Sequence, residues 1–219
     1  MARRRNPVQL ELPLRRHGGA RAGAGRKRGP GRPGVVHRAR PAHSRSHPVH
    51  VTLRAHRLTP WLRSQRVFER IRACIGKASK GSFRVVHYSV QGNHVHLLVE
   101  ATERTALSRG IHGLSIRIAR QVNGLVGRRG AFWGDRYHAR PLRTPREVRH
   151  GLVYVLMNHK KHARGPAPDL DPCSSAASFE GLRSSLPRTH DPSVVTAKTW
   201  LARVGWRRHG RIALTERPT

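Results

Sequence analysis

Apolar residues alternate along HPVHVTLRAH (47–56), placing Val49, Val51 and Leu53 on one face, which predicts a β-strand. Pro60 opens a stretch over about 61–78 in which Leu62, Val67, Ile71 and Ile75 recur at roughly helical spacing. FRVVHYSV (83–90) reads as a second strand, Gln91-Gly92-Asn93 as a turn, and HVHLLVEA (94–101) as a third strand. Over 105–126, Leu107, Ile111, Leu114, Ile118 and Val122 follow at steps of three and four, an amphipathic helix ended by a Gly-Arg-rich turn at 127–130. RYHARPL (136–142) reads as a short edge strand stopped by Pro141. Thr144 then caps a helix that starts at Pro145, with Glu147 at its third position, and runs to about His162 before Gly165-Pro166. The order β-α-β-β-α-β-α matches the split β-α-β pattern of ferredoxin-like, RRM-like α+β domains, an antiparallel sheet with helices on one face and one helix added at the end. Helices on one face only would leave the other face open to a strand of nucleic acid.

Charge narrows the class of partner. The 219 residues hold 44 Lys and Arg against 11 Asp and Glu, a formal net charge of +33, which favours nucleic acid or another anionic surface. Residues 1–42 are Gly- and Arg-rich, as in HGGARAGAGRKRGPGRPG (17–34), and read as a disordered basic arm that contacts phosphates non-specifically. Nearly all the hydrophobic periodicity falls in 43–165, the expected folded domain; 166–196 has the composition of a linker, and 197–219 is a basic, aromatic segment. Two distant cysteines, Cys74 and Cys173, exclude a disulfide framework and a cysteine-rich zinc finger and read as thiols compatible with a reducing cytoplasm. No apolar run approaches the roughly 20 residues of a membrane span, and no apolar segment of a secretory signal follows the basic start.

Two groupings carry chemistry. His94 and His96 lie two apart on a predicted strand, so both imidazoles point to one face while Val95 points into the core; two such ligands can share a divalent ion. By itself His-x-His is a weak signal among 16 histidines, and His47-x-x-His50 reads as a chance pair. Tyr154 and Asn158, four apart in the last helix, share a face; an amide oxygen suits Mg²⁺ or Mn²⁺, and a tyrosine oxygen can act as a covalent nucleophile. A tyrosine alone on a helix is more often a packing residue.

Taken together, YSVQGNHVHLLVE (88–100) and FWGDRYHARPL followed by a helix bearing YVLMNHKKHARG (154–165) resemble the single-tyrosine HUH transposases, in particular the REP-associated tyrosine transposases. The resemblance covers about 43–165. It implies that His94 and His96 are the metal-binding pair, Tyr154 the nucleophile, and Asn158 the third protein ligand, where many relatives have Gln. The Asn-Pro usual after the tyrosine helix is here Asn158-His159, which leaves the helix end open. Tyr137 is the rival nucleophile, but it sits in a strand without an amide four residues on. The chemistry implied is attack by Tyr154 on single-stranded DNA with Mg²⁺ or Mn²⁺, giving a 5′-phosphotyrosine link and a free 3′-OH. The implied partner is DNA with hairpin structure, bound by a monomer or homodimer in the prokaryotic cytoplasm, at the nucleoid. Only five acids lie in 41–163, too few for a multi-carboxylate two-metal nuclease site.

Arg117, Arg120, Arg128, Arg129, Arg136, Arg140 and Arg143, with Arg146 and Arg149, surround the candidate site in sequence and are expected to contact phosphates. Phe132, Trp133 and Tyr137 are candidates for base stacking or for core packing, and Trp200 and Trp206 with Arg203, Arg207 and Arg208 for clamping DNA or covering the domain. The competing classes are a non-catalytic nucleic-acid-binding module on an RRM-like sheet, for which FRVVHYSV offers only Phe83 and Tyr88, and a basic structural protein.

Overall fold

A computed structural model describes residues 42–161, 165, 167–184 and 186–218; the basic arm, but for Ala42, lies outside the described residues. The chain forms β1 (Val49–Arg54), α1 (Gln65–Gly76), β2 (Phe83–Val90), β3 (His94–Ala101), α2 (Arg104–Leu125), β4 (His138–Pro141) and α3 (Pro145–Leu156) in that order. The four strands make one sheet in the order β2-β3-β1-β4, with every neighbouring pair antiparallel.

Alternation along the strands divides the sheet into two unlike faces. Val49, Val51 and Leu53 of β1 and Val95, Leu97 and Val99 of β3 join Val67, Ile71 and Ile75 of α1 and Ile111, Leu114, Ile118 and Val122 of α2 in one buried core. The residues between them face the other way. There Leu98 packs with Leu142, Val148, Leu152 and Leu156 and with Phe179, Leu201 and Trp206 of the chain's last third in a second core. Each fully buried side chain of this size contributes on the order of 1.5–3 kcal/mol. The sheet therefore carries α1 and α2 on one side and α3 on the other, and the open face expected from the sequence is covered.

The covering extends to residues that read as a linker. β5 (Leu182–Arg183) and β6 (Ile212–Ala213) pair in parallel, and α4 (Trp200–Arg203) lies between them in sequence. Outer-edge groups of β2 are met by this region: Val90 N–H donates to Cys173 O, Ser175 N–H to Tyr88 O, and Val195 N–H to Val85 O. An edge strand with unpaired backbone groups needs such a cover. Ion pairs and a buried phenol–carboxylate hydrogen bond fix it in place. Arg63 forks Asp171 at 2.7 and 2.9 Å, Tyr88 Oη donates to Asp191 at 2.8 Å, and Arg149 of α3 forks Glu216 at 2.7 and 2.9 Å. Composition missed this because Asp, Ser and Pro mark loops whether or not the loop is docked.

Element ends differ from the sequence pattern for local reasons. α1 starts at Gln65, because Leu62 and Arg63 are committed elsewhere: Leu62 N–H donates to Gly92 O, and Arg63 binds Asp171. α2 stops where Gly127 and Gly130 take the left-handed φ values of 63° and 97°. Thr144 caps α3 as expected, its Oγ1 accepting from Glu147 N–H at 3.2 Å; the Glu147 carboxylate accepts from Arg143 N–H, one residue outside the usual reciprocal bond. α3 ends at Leu156 rather than near 162. Met157 leaves helical geometry (φ −109°, ψ 15°), and a 3₁₀ turn, Asn158–Lys160, follows. Among the described residues, no helix is long and apolar enough to cross a membrane, and Cys74 and Cys173 are free, buried thiols.

Candidate active site

On the sheet face toward α3, the cross-strand register builds rows of side chains that are polar but for Leu98. Ser89, His96, Thr52 and His138 form one row, and His87, Leu98, His50 and Arg140 the next; Arg54 stands opposite His94. Strand alternation thus brings His94 and His96 together as the sequence predicted, with their ring centroids 4.6 Å apart. α3 lays Tyr154 across them, its ring centroid 5.1 Å from that of His96 and edge-on to it.

His50, read from sequence as a chance histidine, belongs to this cluster. Its ring is 5.3 Å from both His96 and Tyr154, and its Nε2 lies 3.3 Å from His96 Nδ1. Thr52 Oγ1 lies 3.1 Å from the same nitrogen. The alternation that puts Val49 and Val51 into the first core was the available signal, since it puts His50 and Thr52 on the opposite face. His47 is elsewhere, in a cleft with Arg45 and Trp200 beyond the far ends of β1 and β3.

Within this cluster His96 Nε2 is buried without a partner, and so are Oδ1 and Nδ2 of Asn158 in the 3₁₀ turn that follows α3. Asn158 is 2% exposed and one turn beyond Tyr154 in the chain. A buried polar atom left unpaired costs on the order of 1–3 kcal/mol, so such atoms are not kept for stability. Burial, reinforced by His50, His94 and Lys161, pushes the His96 imidazole down to about 2, so it is neutral with a nitrogen lone pair to offer. Burial, with His138 and Arg140, pushes His50 down to about 4. With Nδ1 of His96 engaged by Thr52 and His50, its Nε2 is the nitrogen turned to a ligand. A neutral imidazole and an amide oxygen, both unpaired, suit a divalent cation. His94 Nδ1 lies 2.7 Å from Asn93 Oδ1, which orients the other imidazole. Positive charge borders the cluster: Lys161 Nζ stands 4.9 Å from the Tyr154 ring centroid.

The other two tyrosines are placed differently. Tyr88 is 1% exposed and bonded to Asp191, and burial with that carboxylate raises its pKa further. Tyr137 packs against the core of α1 and α2.

The arginines separate into groups. Arg140 shares the imidazole face and pairs with Glu147 at 3.3 Å; Arg143 is exposed beside the start of α3. Arg129 and Arg136 are exposed between α2 and β4. Arg117 and Arg120 ride on α2, the layer across the sheet from Tyr154, and Arg117 donates to Lys77 O. Arg128 is consumed by the loop it holds, donating to Leu58 O, Asn123 Oδ1 and Ala131 O at 2.8–3.1 Å. Proximity in sequence could not distinguish the two sides of the sheet.

The transposase IS200-like family model matches residues 43–149. A solved REP-associated tyrosine transposase bound to a REP hairpin is similar in fold, with a TM-score of 0.52, 18% identity, and coverage of 64% of this chain and 82% of that one. A candidate transposase from Deinococcus radiodurans R1 is looser, with a TM-score of 0.35 and 16% identity over 48% of this chain and 85% of that one. No curated protein matches the chain. The matched residues, 43–149, hold β1 to β4, the imidazole pair and the start of α3, so the similarity to the IS200-like transposases spans the sheet and the beginning of the tyrosine helix.

Proposed function

We propose that this transposase cuts and rejoins single-stranded DNA through Tyr154, with His94, His96 and Asn158 as ligands of Mg²⁺ or Mn²⁺, in the manner of the REP-associated branch. One observation carries the reading: the unpaired, buried His96 Nε2 and Asn158 Oδ1 accompany the one tyrosine seated on the imidazole cluster. The ferredoxin-like reading of the domain agrees with the observed strand order.

When bound there, the cation supplies Lewis-acid polarisation of the scissile phosphate. Tyr154 Oη forms a bond to phosphorus as the bond from phosphorus to the 3′-oxygen breaks. The phenol gives up one proton and the departing 3′-oxygen takes one up. One phosphodiester replaces another, so the step runs in reverse when a second 3′-OH arrives, and strands are joined without an external energy source. His96, held neutral by burial, keeps its lone pair available across the ordinary pH range. Thr52 and His50 hold its Nδ1 side and so its ring orientation, while α3 lays Tyr154 over it; such positioning contributes much of the rate in phosphoryl transfer. Lys161 and Arg140 add positive charge beside the incoming phosphates. We assign the partner as DNA bearing a hairpin with a single-stranded flank, by analogy with the hairpin held by the similar transposase.

The test is a denaturing gel of labelled hairpin oligonucleotides incubated with Mn²⁺ or Mg²⁺. The reading expects a metal-dependent covalent adduct that vanishes in Tyr154→Phe and persists in Tyr137→Phe. Loss in Tyr137→Phe alone moves the nucleophile. Tight binding with no cleavage by the unaltered chain makes this a binding module.

A further inference from the structure

Among the described residues, Trp61 is 66% exposed, the most exposed of the large aromatic side chains. It is not a loose one. Leu62, the next residue, is fully buried, and Arg63 after it forks Asp171 and donates to Val90 O. Three consecutive residues therefore point outward, into the core, and into an ion pair, so the backbone under Trp61 cannot turn the indole inward. Two main-chain bonds stitch this loop to the β2–β3 turn: Leu62 N–H donates to Gly92 O at 2.9 Å and Ala55 N–H to Asn93 O at 2.8 Å.

The indole lies on that turn. A Cβ at Gly92 would stand 2.2 Å from Trp61 Cζ3 and 2.3 Å from Cη2, so the six-membered ring rests against the glycine backbone and would have to shift for any larger residue there. One side of the ring is seated on Gly92 and the rest of it meets solvent. The turn beneath it leads directly into His94, two residues on. The surroundings are cationic: Arg54, opposite His94 across the strands, and Arg57 are exposed, and Arg128 grips the same loop at Leu58 O with exposed Arg129 beside it. A half-seated aromatic ring on loops that also carry exposed arginines suits an unpaired base with its phosphates.

We propose that Trp61 is a stacking platform for a base in the single-stranded DNA flank, and so fixes which phosphate reaches His94 and Tyr154. This rests on the strand-cleavage reading above. Trp61 is a positioning and binding residue here; it touches substrate but not the reacting atoms.

The test uses the full chain carrying Tyr154→Phe, so that the DNA stays intact, and fluorescence anisotropy with two probes: a hairpin with a single-stranded flank, and the same hairpin without it. Trp61→Leu keeps an apolar cover on Gly92 but removes the π-face. The flanked probe is expected to bind Trp61→Leu about tenfold more weakly, equivalent to about 1.4 kcal/mol, while Trp61→Phe stays within about threefold of the parent and the flankless hairpin binds all three alike. A flank with 2-aminopurine substituted base by base is expected to show quenching at one position, lost in Trp61→Leu. Equal binding of the flanked probe by parent and Trp61→Leu, with quenching retained, overturns the platform and leaves the cleavage reading standing. Failure of the parent to bind either probe overturns both. Weakened binding of both probes to an equal degree also overturns the platform, since it marks a general disturbance of the turn.

Discussion

The two faces of the β-sheet are written by the same strands at alternate positions and have opposite chemistry. Toward α1 and α2, β1 and β3 present Val49, Val51, Leu53, Val95, Leu97 and Val99. Toward α3, they present His50, Thr52, His94, His96 and Leu98. The first face satisfies every rule of a core. The second buries the Nε2 of His96 with no partner, and the turn after α3 buries the Asn158 amide likewise. A protein gains nothing in stability from that arrangement, so the departure marks where a ligand is handled. The apolar face holds the sheet rigid, and the polar face uses that rigidity to keep its side chains in place.

The contrast can be broken at either face. The largest effect on stability is expected on the apolar side: Leu114→Ala should lower the unfolding free energy by about 2–5 kcal/mol in urea titration. On the polar side, Mn²⁺ at about 100 times its Kd should raise stability by about 2.7 kcal/mol, and His96→Ala should abolish that gain.

Acid sharpens the contrast, because His50, His87 and His96 are held below the ordinary value of 6.5, to about 4, 4 and 2. For His87 the chief cause is desolvation, where its Nδ1 meets Ser175 Oγ and its ring meets Phe179 edge-on. The folded chain keeps these imidazoles neutral while the unfolded chain protonates them near 6.5, so the unfolded state binds more protons below that value. Stability is full above the unfolded value and falls as the pH drops toward 4. Between pH 7 and pH 6 the loss should be under about 1 kcal/mol for each imidazole, read from urea midpoints without metal. The smallest effect is the most diagnostic. Without metal, Asn158→Leu should change stability by less than about 1 kcal/mol, or raise it, since no hydrogen bond is lost; a drop of several kcal/mol would mean that the amide is a structural group.

Much of the architecture was legible because it rests on periodicity. The strand, helix and cap positions follow from alternation, from three-and-four spacing, and from Thr144 with Glu147. The His94 and His96 pair was legible for the same reason, as two positions on one strand. The cluster around it was less so. Alternation gives the face of His50, but its place beside His96 comes from strand pairing across 46 residues, which no local pattern reveals. The arginines were grouped by sequence distance, whereas the sheet puts Arg117 and Arg120 on one side and Arg140 on the other. The docking of 167–184 and 186–196 was hidden because its anchors, Asp171 and Asp191, look like loop residues until Arg63, Arg72 and Tyr88 are seen to meet them. Trp61 was passed over for a related reason: its exposure follows from the commitments of Leu62 and Arg63, which are tertiary.

The most direct measurement is to digest the protein–DNA adduct and identify by mass spectrometry which peptide carries the nucleotide. The account predicts a 5′-phosphonucleotide on Tyr154 and on neither of the chain's other two tyrosines. A nucleotide on Tyr137, or on a residue that is not tyrosine, would contradict it.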